Sequence, residues 1–387
     1  MPKPTSARVG QFTESVIREM TRLAQQHGAI NLAQGFPDFP TPDVLKDAAC
    51  RAIAEDYNQY AITWGASSLR AALAEKYRWF NHLDIDPARH ITVCCGATEC
   101  CIATLIAILN PGDEVVIFQP YYENYGPDSW ISGATPRFVT LYPPDFTFDL
   151  DELRSAFSER TKAIVVNTPH NPTGHVFTRE ELTYIAQLCQ EFDAYVITDE
   201  IYEHILYDGR EHISIATLPD MWARTITISG MSKTYAVTGW RVAWCIAPEA
   251  ITNAIRKVHD FLTVGAPHPL QEAGAVALRL PKSYYNQLQA DYTARRALMM
   301  QVVTEAGFTA YQPQGSYYIL TDIANLTPDD DVAFTRYLIE QVGVAVVPGS
   351  SFYVPGHPQG QRQVRFAFPK KRETLEAAAE RLGRMMK

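Results

Sequence analysis

A lysine set in Gly230-Met-Ser-Lys233, with Arg241 eight residues on in Thr238-Gly-Trp-Arg, is the first pattern able to do chemistry. An amine in a Gly/Ser loop beside apolar sequence can be partly desolvated, so its pKa falls and it turns nucleophilic near neutral pH. Asp199-Glu200 follow an apolar run, and a carboxylate ending a buried strand needs a cation or a helix to cap. In Thr168-Pro-His-Asn-Pro-Thr-Gly two prolines and a glycine stiffen the loop around Asn171. That amide can donate to a ligand oxygen or simply build an Asn-Pro turn. Gly96-Ala-Thr-Glu opens a helix, where free N–H groups and the positive dipole end suit a phosphate. Gln119-Pro-Tyr-Tyr adds aromatic rings, which read equally as rim packing.

These groups work together only if the chain brings them to one place. Each follows a short apolar, β-branched run, at 91–95, 114–118, 163–167, 194–198 and 225–229. Between the runs lie helical stretches at 98–109, stopped by Asn110-Pro-Gly, and at 178–192, opened by the capping pattern Thr178-Arg-Glu-Glu. Strand–helix alternation with fully apolar strands predicts a mostly parallel α/β sheet covered on both faces. Ligands of such sheets bind beyond the carboxyl ends of the strands, where all these groups fall. The last hundred residues differ. A helix at 284–306, strands at 316–321, 343–347 and 363–368, and helices at 331–341 and 373–386 read as a smaller α+β unit. The expected division is an N-terminal segment 1–40 packing with the small domain, a large domain 41–285 and a small domain 286–387. Phe36-Pro-Asp-Phe-Pro-Thr-Pro reads as a rigid crossing between the two.

Length and composition agree with two domains: 387 residues, 47% apolar and 20% charged. A net charge of −9 argues against a general nucleic-acid binder. No apolar run approaches the length of a membrane span, and the first ten residues lack the apolar core of a signal peptide, so a cytoplasmic chain is expected. Seven cysteines, an odd number without a secretion signal, read as reduced thiols. The pairs Cys94-Cys95 and Cys100-Cys101 have spacings a zinc site can use, but in a buried strand and an apolar helix cysteine is a small hydrophobe. Glu200 and His204 mimic a metal pair at helical spacing but read as helix surface, so no metal is assigned.

Taken together, Tyr60, Gly96-Ala-Thr-Glu, His170-Asn-Pro-Thr-Gly, Asp199-Glu-Ile-Tyr, Ser232-Lys233, Gly239-Trp-Arg241 and Arg365 resemble, in order, the motifs of class I and II aminotransferases of fold type I. These enzymes depend on pyridoxal 5′-phosphate. The resemblance runs from Asn31-Leu-Ala-Gln-Gly-Phe-Pro-Asp-Phe to Gln363-Val-Arg-Phe, nearly the whole chain. It implies that Lys233 binds the cofactor covalently and then carries the proton, and that Asp199 pairs with the pyridine nitrogen. It implies that Asn171 and Tyr202 bond the ring hydroxyl oxygen and that Tyr122 stacks on the ring. Ala97, Thr98, Ser232 and Arg241 would hold the phosphate, with Tyr60 reaching the phosphate of a neighbouring subunit in a homodimer of shared sites. Arg365 would grip the substrate carboxylate, assisted by Gly35 and Asn171. Gly230 departs from the family's usual serine, leaving Ser229 or Ser232 to supply that hydroxyl.

Within the family, Asn58-Gln-Tyr, Arg256-Lys-Val-His and the stretch after Asn31 most resemble the kynurenine/glutamine and methionine aminotransferase subgroup. The aromatic residue guarding the pocket in kynurenine enzymes falls on Ile17 here, which weakens kynurenine as donor. Thr98 stands where an aspartate-using subgroup has a lysine, so a dicarboxylate donor would lack a partner for its second charge. The expected activity is transfer of the amino group of a neutral, sulfur-containing or aromatic amino acid to a 2-oxo acid, by a ping-pong mechanism. Aspartate transamination, β-elimination on cysteine S-conjugates and a non-enzymic ligand-binding role are the alternatives.

Overall fold

The computed structural model describes residues 5–386. Helix α1 (Val16–His27) starts at Ser15, whose hydroxyl caps it, and stops at Gly28 in the left-handed region. Strand β1 (Ile30–Asn31), α2 (Asp43–Ala54) and α3 (Ser67–Trp79) lead into the large sheet. That sheet contains β2 (Ile91–Cys94), β3 (Glu114–Gln119), β4 (Thr135–Tyr142), β5 (Thr147–Phe148), β6 (Thr161–Asn167), β7 (Tyr195–Asp199), β8 (Thr225–Gly230) and β9 (Ala243–Ile246), with α4 (Ala97–Ile108) following β2. Its order is β2-β9-β8-β7-β6-β3-β4-β5. The strands β8, β7, β6, β3 and β4 run parallel, while β9 is antiparallel to both its neighbours.

Alternation along the strands explains the continuous apolar runs. Val116, Phe118, Ile164, Val166 and Val196 pack on one face, and Val115, Ile117, Ala163, Val165 and Ile197 on the other. Both faces are dry, so neither needed a polar set. The Thr178 capping box forms as expected, with Thr178 and Glu181 exchanging hydrogen bonds at the start of helix Arg179–Glu191.

The C-terminal region has a second sheet of β10 (Thr309–Ala310), β11 (Tyr318–Asp322), β13 (Val347–Pro348) and β14 (Gln363–Ala367), all antiparallel. Before β13, β12 (Val344–Ala345) pairs instead with β1. The single strand expected at 343–347 is therefore two, because the chain leaves one partner at Ala345 and joins another at Val347. The strand expected from 316 starts at Tyr318, since Ser316 has φ 58° and turns the chain. The helix expected at 331–341 is α-helical only over Asp331–Tyr337 and continues as a wider π-turn to Val342. Helices Lys282–Glu305 and Arg372–Leu382 bury Met299, Val302, Val303, Leu375 and Ala378 against Ile319, Val364 and Phe366. Residues of α1 pack on Ala345, Val347 and Phe352, so the N-terminal segment lies on this C-terminal region.

Glu200 and His204 are not helix surface. Glu200 follows the end of β7 and residues 201–204 form turns, and both side chains are buried. Glu200 accepts from His212 Nε2 at 2.8 Å, and His204 lies against Phe80 with ring centroids 4.0 Å apart. The cysteines hold a further surprise. Cys94 and Cys100 converge with Cys245 of β9, their sulfurs within 4.8 Å of one another, in the apolar core under α4.

No helix among the described residues is long and apolar enough to cross a membrane.

Candidate active site

The carboxyl ends of β2, β6, β7 and β8 open into one cavity of about 720 Å³, also lined by α1, the Gln34–Phe36 segment, and Tyr318 and Arg365 of the second sheet. After β2, Gly96 takes φ +89°, and α4 begins with no side-chain cap. The N–H groups of Ala97 and Thr98 find no acceptor among the described residues, which leaves a donor pair at a helix N-terminus. A Cβ on Gly96 would lie 2.1 Å from Arg241 Nη2, so only glycine lets the guanidinium approach this turn. Arg241 itself is bent into the left-handed region at φ 55°. Behind the turn, Glu99 accepts from the Cys95 N–H, from Thr263 Oγ1 at 2.7 Å and from His259 Nδ1 at 2.6 Å. Burial alone would push the His259 imidazole down, but the Glu99 carboxylate raises it above its ordinary value.

Asp199, the last residue of β7, is buried and accepts from Tyr125 Oη at 2.7 Å and from the Ile201 N–H at 3.2 Å. Burial lifts its carboxyl above the ordinary range against the pull of these donors. Asn167 donates from Nδ2 to the Asp199 carbonyl and accepts from the Asn171 N–H at 2.8 Å, locking the ends of β6 and β7 together. Arg365, 1% exposed, donates from Nη1 to Asn171 Oδ1 at 2.8 Å and from Nη2 to the Ala33 carbonyl at 2.7 Å, while its Nε has no partner. Its plane lies over the Tyr318 ring, 4.1 Å from the centroid.

Lys233 donates to the Gly35 carbonyl at 3.2 Å. Burial, with the Arg365 charge nearby, pushes its amine down to about 8, although Asp199 pulls the other way. Gly35 is wedged against two aromatics: Tyr317 Oη donates to its carbonyl at 2.7 Å, and a Cβ would strike Tyr318 Oη at 2.1 Å. Tyr202 and Tyr318 share a hydrogen bond of 3.0 Å between their hydroxyls. Gly35, Ala97, Thr98, Tyr122, Asn171, Asp199, Tyr202, Ser232, Lys233, Arg241 and Arg365 thus all line the same cavity.

Tyr60 does not: it is 84% exposed and lies away from this cavity. Ser229 is also elsewhere, donating to Glu203 Oε1 at 2.7 Å, which leaves Ser232 as the hydroxyl near the phosphate turn. A side chain at 230 has no room, since a Cβ there meets Ala243 Cβ at 2.8 Å across the β8–β9 pair. Residue-type reasoning missed Tyr125, Asn167, Tyr317 and Tyr318. Tyr125 and Asn167 sit at strand or helix ends of the motifs already singled out, whereas Tyr317 and Tyr318 come from the start of β11 and the bend before it, without local signal.

A buried amine of lowered pKa, a buried carboxylate and an uncapped helix start, gathered at the carboxyl ends of a mostly parallel sheet, define a pyridoxal phosphate-dependent transferase of fold type I. The chain belongs to the aminotransferase class I and II family, whose model matches residues 27–382. It is 36% identical to methionine aminotransferase of Escherichia coli (strain K12) over 384 residues, 99% of each chain. It is 37% identical to human kynurenine–oxoglutarate transaminase 1 over 396 residues, covering 94% of each. Among solved structures, N-succinyldiaminopimelate aminotransferase from Mycobacterium tuberculosis superposes with a TM-score of 0.96 at 37% identity, covering 99% of this chain and 100% of that one. The protein is a transaminase.

The family's cofactor, pyridoxal 5′-phosphate, fits the residues present. The free N–H pair of Ala97 and Thr98 with Arg241 suits a phosphate, Asp199 suits a protonated ring nitrogen, and Lys233 is an amine able to react with an aldehyde.

Proposed function

We propose that this transaminase takes its amino group from neutral amino acids, sulfur-containing or aromatic ones and glutamine among them, with methionine the leading donor, and passes it to a 2-oxo acid. The observation that carries the reading is the wall of the cavity. Ile17, Phe36, Tyr122, Leu262 and Tyr318 give it apolar and aromatic surface, and at its phosphate end stands the uncharged Thr98. A second carboxylate there would be desolvated without a counter-charge.

Bound pyridoxal phosphate supplies an aldehyde for the amino group and a ring that draws electrons from Cα. The chain's own groups do the rest. Lys233 would provide the covalent anchor and, once released, the base that takes the proton from the substrate Cα and delivers it to the cofactor's aldehyde carbon on the far side of the amino nitrogen; an amine titrating near 8 serves both uses at neutral pH. Asp199, oriented by Tyr125, would pair with the ring nitrogen and keep its proton there. Tyr202 and Asn171 would hydrogen-bond the ring hydroxyl oxygen, and Tyr122 would stack on the ring. Arg365, pre-aligned by Asn171 and Ala33, receives the α-carboxylate in its planar fork, with Gly35 beside it. Ser232, Thr98, Ala97 and Arg241 would hold the phosphate.

The proposal extends to the assembly. Tyr60 at 84% exposure and Phe261 at 91% are aromatic side chains left in water by one chain, which supports a homodimer in which Tyr60 completes the partner's phosphate site. Sedimentation of wild type and of Tyr60→Ala should both give a dimer, with the variant losing cofactor more readily on dilution. A monomeric wild type would refute the shared site. We further assign residues 1–40 to the small unit, 41–285 to the large domain and 286–387 to the small domain, in a cytoplasmic enzyme.

Single-turnover absorbance tests the substrate. Loaded enzyme mixed with methionine should lose its cofactor band quickly, and with aspartate slowly. The reverse order would make this an aspartate aminotransferase.

A further inference from the structure

Two motifs of the chain, Gly96-Ala-Thr-Glu and Arg256-Lys-Val-His, meet behind the phosphate turn, and the reaction described so far uses neither Glu99 nor His259. Glu99 stands in the first turn of α4, directly after the free N–H groups of Ala97 and Thr98, and lines the same cavity. Its side chain is 8% exposed, and no lysine or arginine pairs with it among the described residues. A carboxylate at that place repels the anion that the helix start is suited to take. Arg241 beside Gly96 is already committed to the phosphate, so a different cation has to offset Glu99.

His259, from helix Glu249–Leu262 and without solvent exposure, meets that need. Its Nδ1 lies 2.6 Å from Glu99 Oε1 and its Nε2 2.8 Å from the Thr63 carbonyl oxygen. A carbonyl oxygen only accepts, so Nε2 carries a proton. Glu99 accepts from the Cys95 N–H with one oxygen and from Thr263 Oγ1 with the other, as a carboxylate does, so Nδ1 carries one too. The ring is therefore an imidazolium. Burial works against the Glu99 charge, yet the bonds from His259 and Cys95 outweigh it and hold the carboxyl below its ordinary range. The other titratable groups near the ring are the thiols of Cys94 and of Cys245 on β9, and a thiol supplies no positive charge. The pair also fastens the turn. The Cys95 thiol donates to the Gly265 carbonyl at 3.4 Å and the Val93 N–H to the Trp64 carbonyl at 3.1 Å, so β2 and its turn are tied to both segments that His259 bridges.

We propose that Glu99 and His259 are positioning residues for the cofactor phosphate. The carboxylate fixes the Cys95–Gly96 turn so that the Ala97 and Thr98 N–H groups stay free for the anion, and the imidazolium cancels the charge that the carboxylate brings. This rests on the cofactor assignment above and deepens it, since neither residue is among the groups given to the phosphate. Glutamine at 99 would keep every hydrogen bond, accepting from Cys95 and donating to a ring that is then neutral. Removing His259 alone leaves the carboxylate uncompensated.

Cofactor binding, rather than turnover, reads the effect. Stripped enzyme is titrated with pyridoxal 5′-phosphate and with pyridoxal, which lacks the phosphate, following absorbance and tryptophan fluorescence. His259→Gln should weaken the phosphorylated form about tenfold, the order of one like charge several ångströms away in a half-buried site, and leave pyridoxal in place. Glu99→Gln should keep the wild-type preference for the phosphorylated form. Combining Glu99→Gln with His259→Gln should recover most of what His259→Gln loses. Equal weakening of both ligands by His259→Gln, or a double variant no better than the single one, would overturn the assignment. In nitrogen NMR of labelled histidine, the ring whose signals vanish in His259→Gln should carry two protons at neutral pH, and a singly protonated ring would refute the charge. A wild type that takes pyridoxal as tightly as its phosphate ester refutes the phosphate site itself, and with it the reading on which this pair depends.

Discussion

Lys233 shows how far one residue's chemistry depends on what surrounds it. A solvated lysine amine is protonated until far above neutral pH, whereas here burial and the Arg365 charge bring it to about 8. The neutral, reactive form therefore grows as pH rises through 8. Stripped enzyme should take up pyridoxal phosphate at a rate that climbs between pH 7 and 9 and then levels. A rate still climbing steeply at pH 10 would mean the amine is not desolvated. The candidate residues at this scale were legible because their types are unusual where they stand: a lysine, a carboxylate and an Asn between prolines, each directly after an apolar run. Arg365 was legible only through its place in the motif order, since an arginine in a terminal strand has a plain surface reading. Its burial and its bond to Asn171, 194 positions away, could not be read locally.

At the scale of elements, β8 and β9 set the position of Lys233. β9 inserts antiparallel between β2 and β8, and it brings Ala243 against Gly230. That contact, rather than the phosphate, accounts for glycine at 230. Gly230→Ser should overpack the pair and cost about 1–3 kcal/mol, read as a lowered urea midpoint. An unchanged midpoint would show that β9 can yield. The parallel strands and the helices after them were visible as apolar runs and caps. The strand β9 was not expected, because four residues following Arg241 carry no period that separates a strand from a loop. Nor did the pattern reveal that 343–347 changes partners, since pairing is decided by the other strand.

For the molecule as a whole, a buried ion pair ties α3 to the turn after β7. Lys76 donates to Glu203 at 2.6 Å and to Asn81 at 2.8 Å, and both charged groups are almost fully buried. Burial is the largest single influence on the Glu203 carboxylate and works against its charge, but Lys76 together with His204 and His212 outweighs it and holds the group at about 2. A carboxylate pKa depressed by folding stabilises above its unfolded value near 4, and this contribution fades as pH falls toward 2. Lys76→Met should strand the charge and cost about 3–5 kcal/mol, while Lys76→Met with Glu203→Leu should recover much of it. Denaturant unfolding of both variants decides this, and a double variant no more stable than the single would refute the pairing as the cause.

The sequence by itself determined the class of fold, the rim of the sheet on which chemistry takes place and the family, because strand-end motifs and hydrophobic runs are local properties. Only the tertiary structure decided which side chains face one another. It set Tyr317 and Tyr318 against Gly35, moved Ser229 out of the site to Glu203, buried Glu200 and His204, and placed His259 between Glu99 and the Thr63 carbonyl. Those outcomes rest on contacts between segments far apart in the chain, and on a desolvation that exists only once both sheets have closed over the cavity.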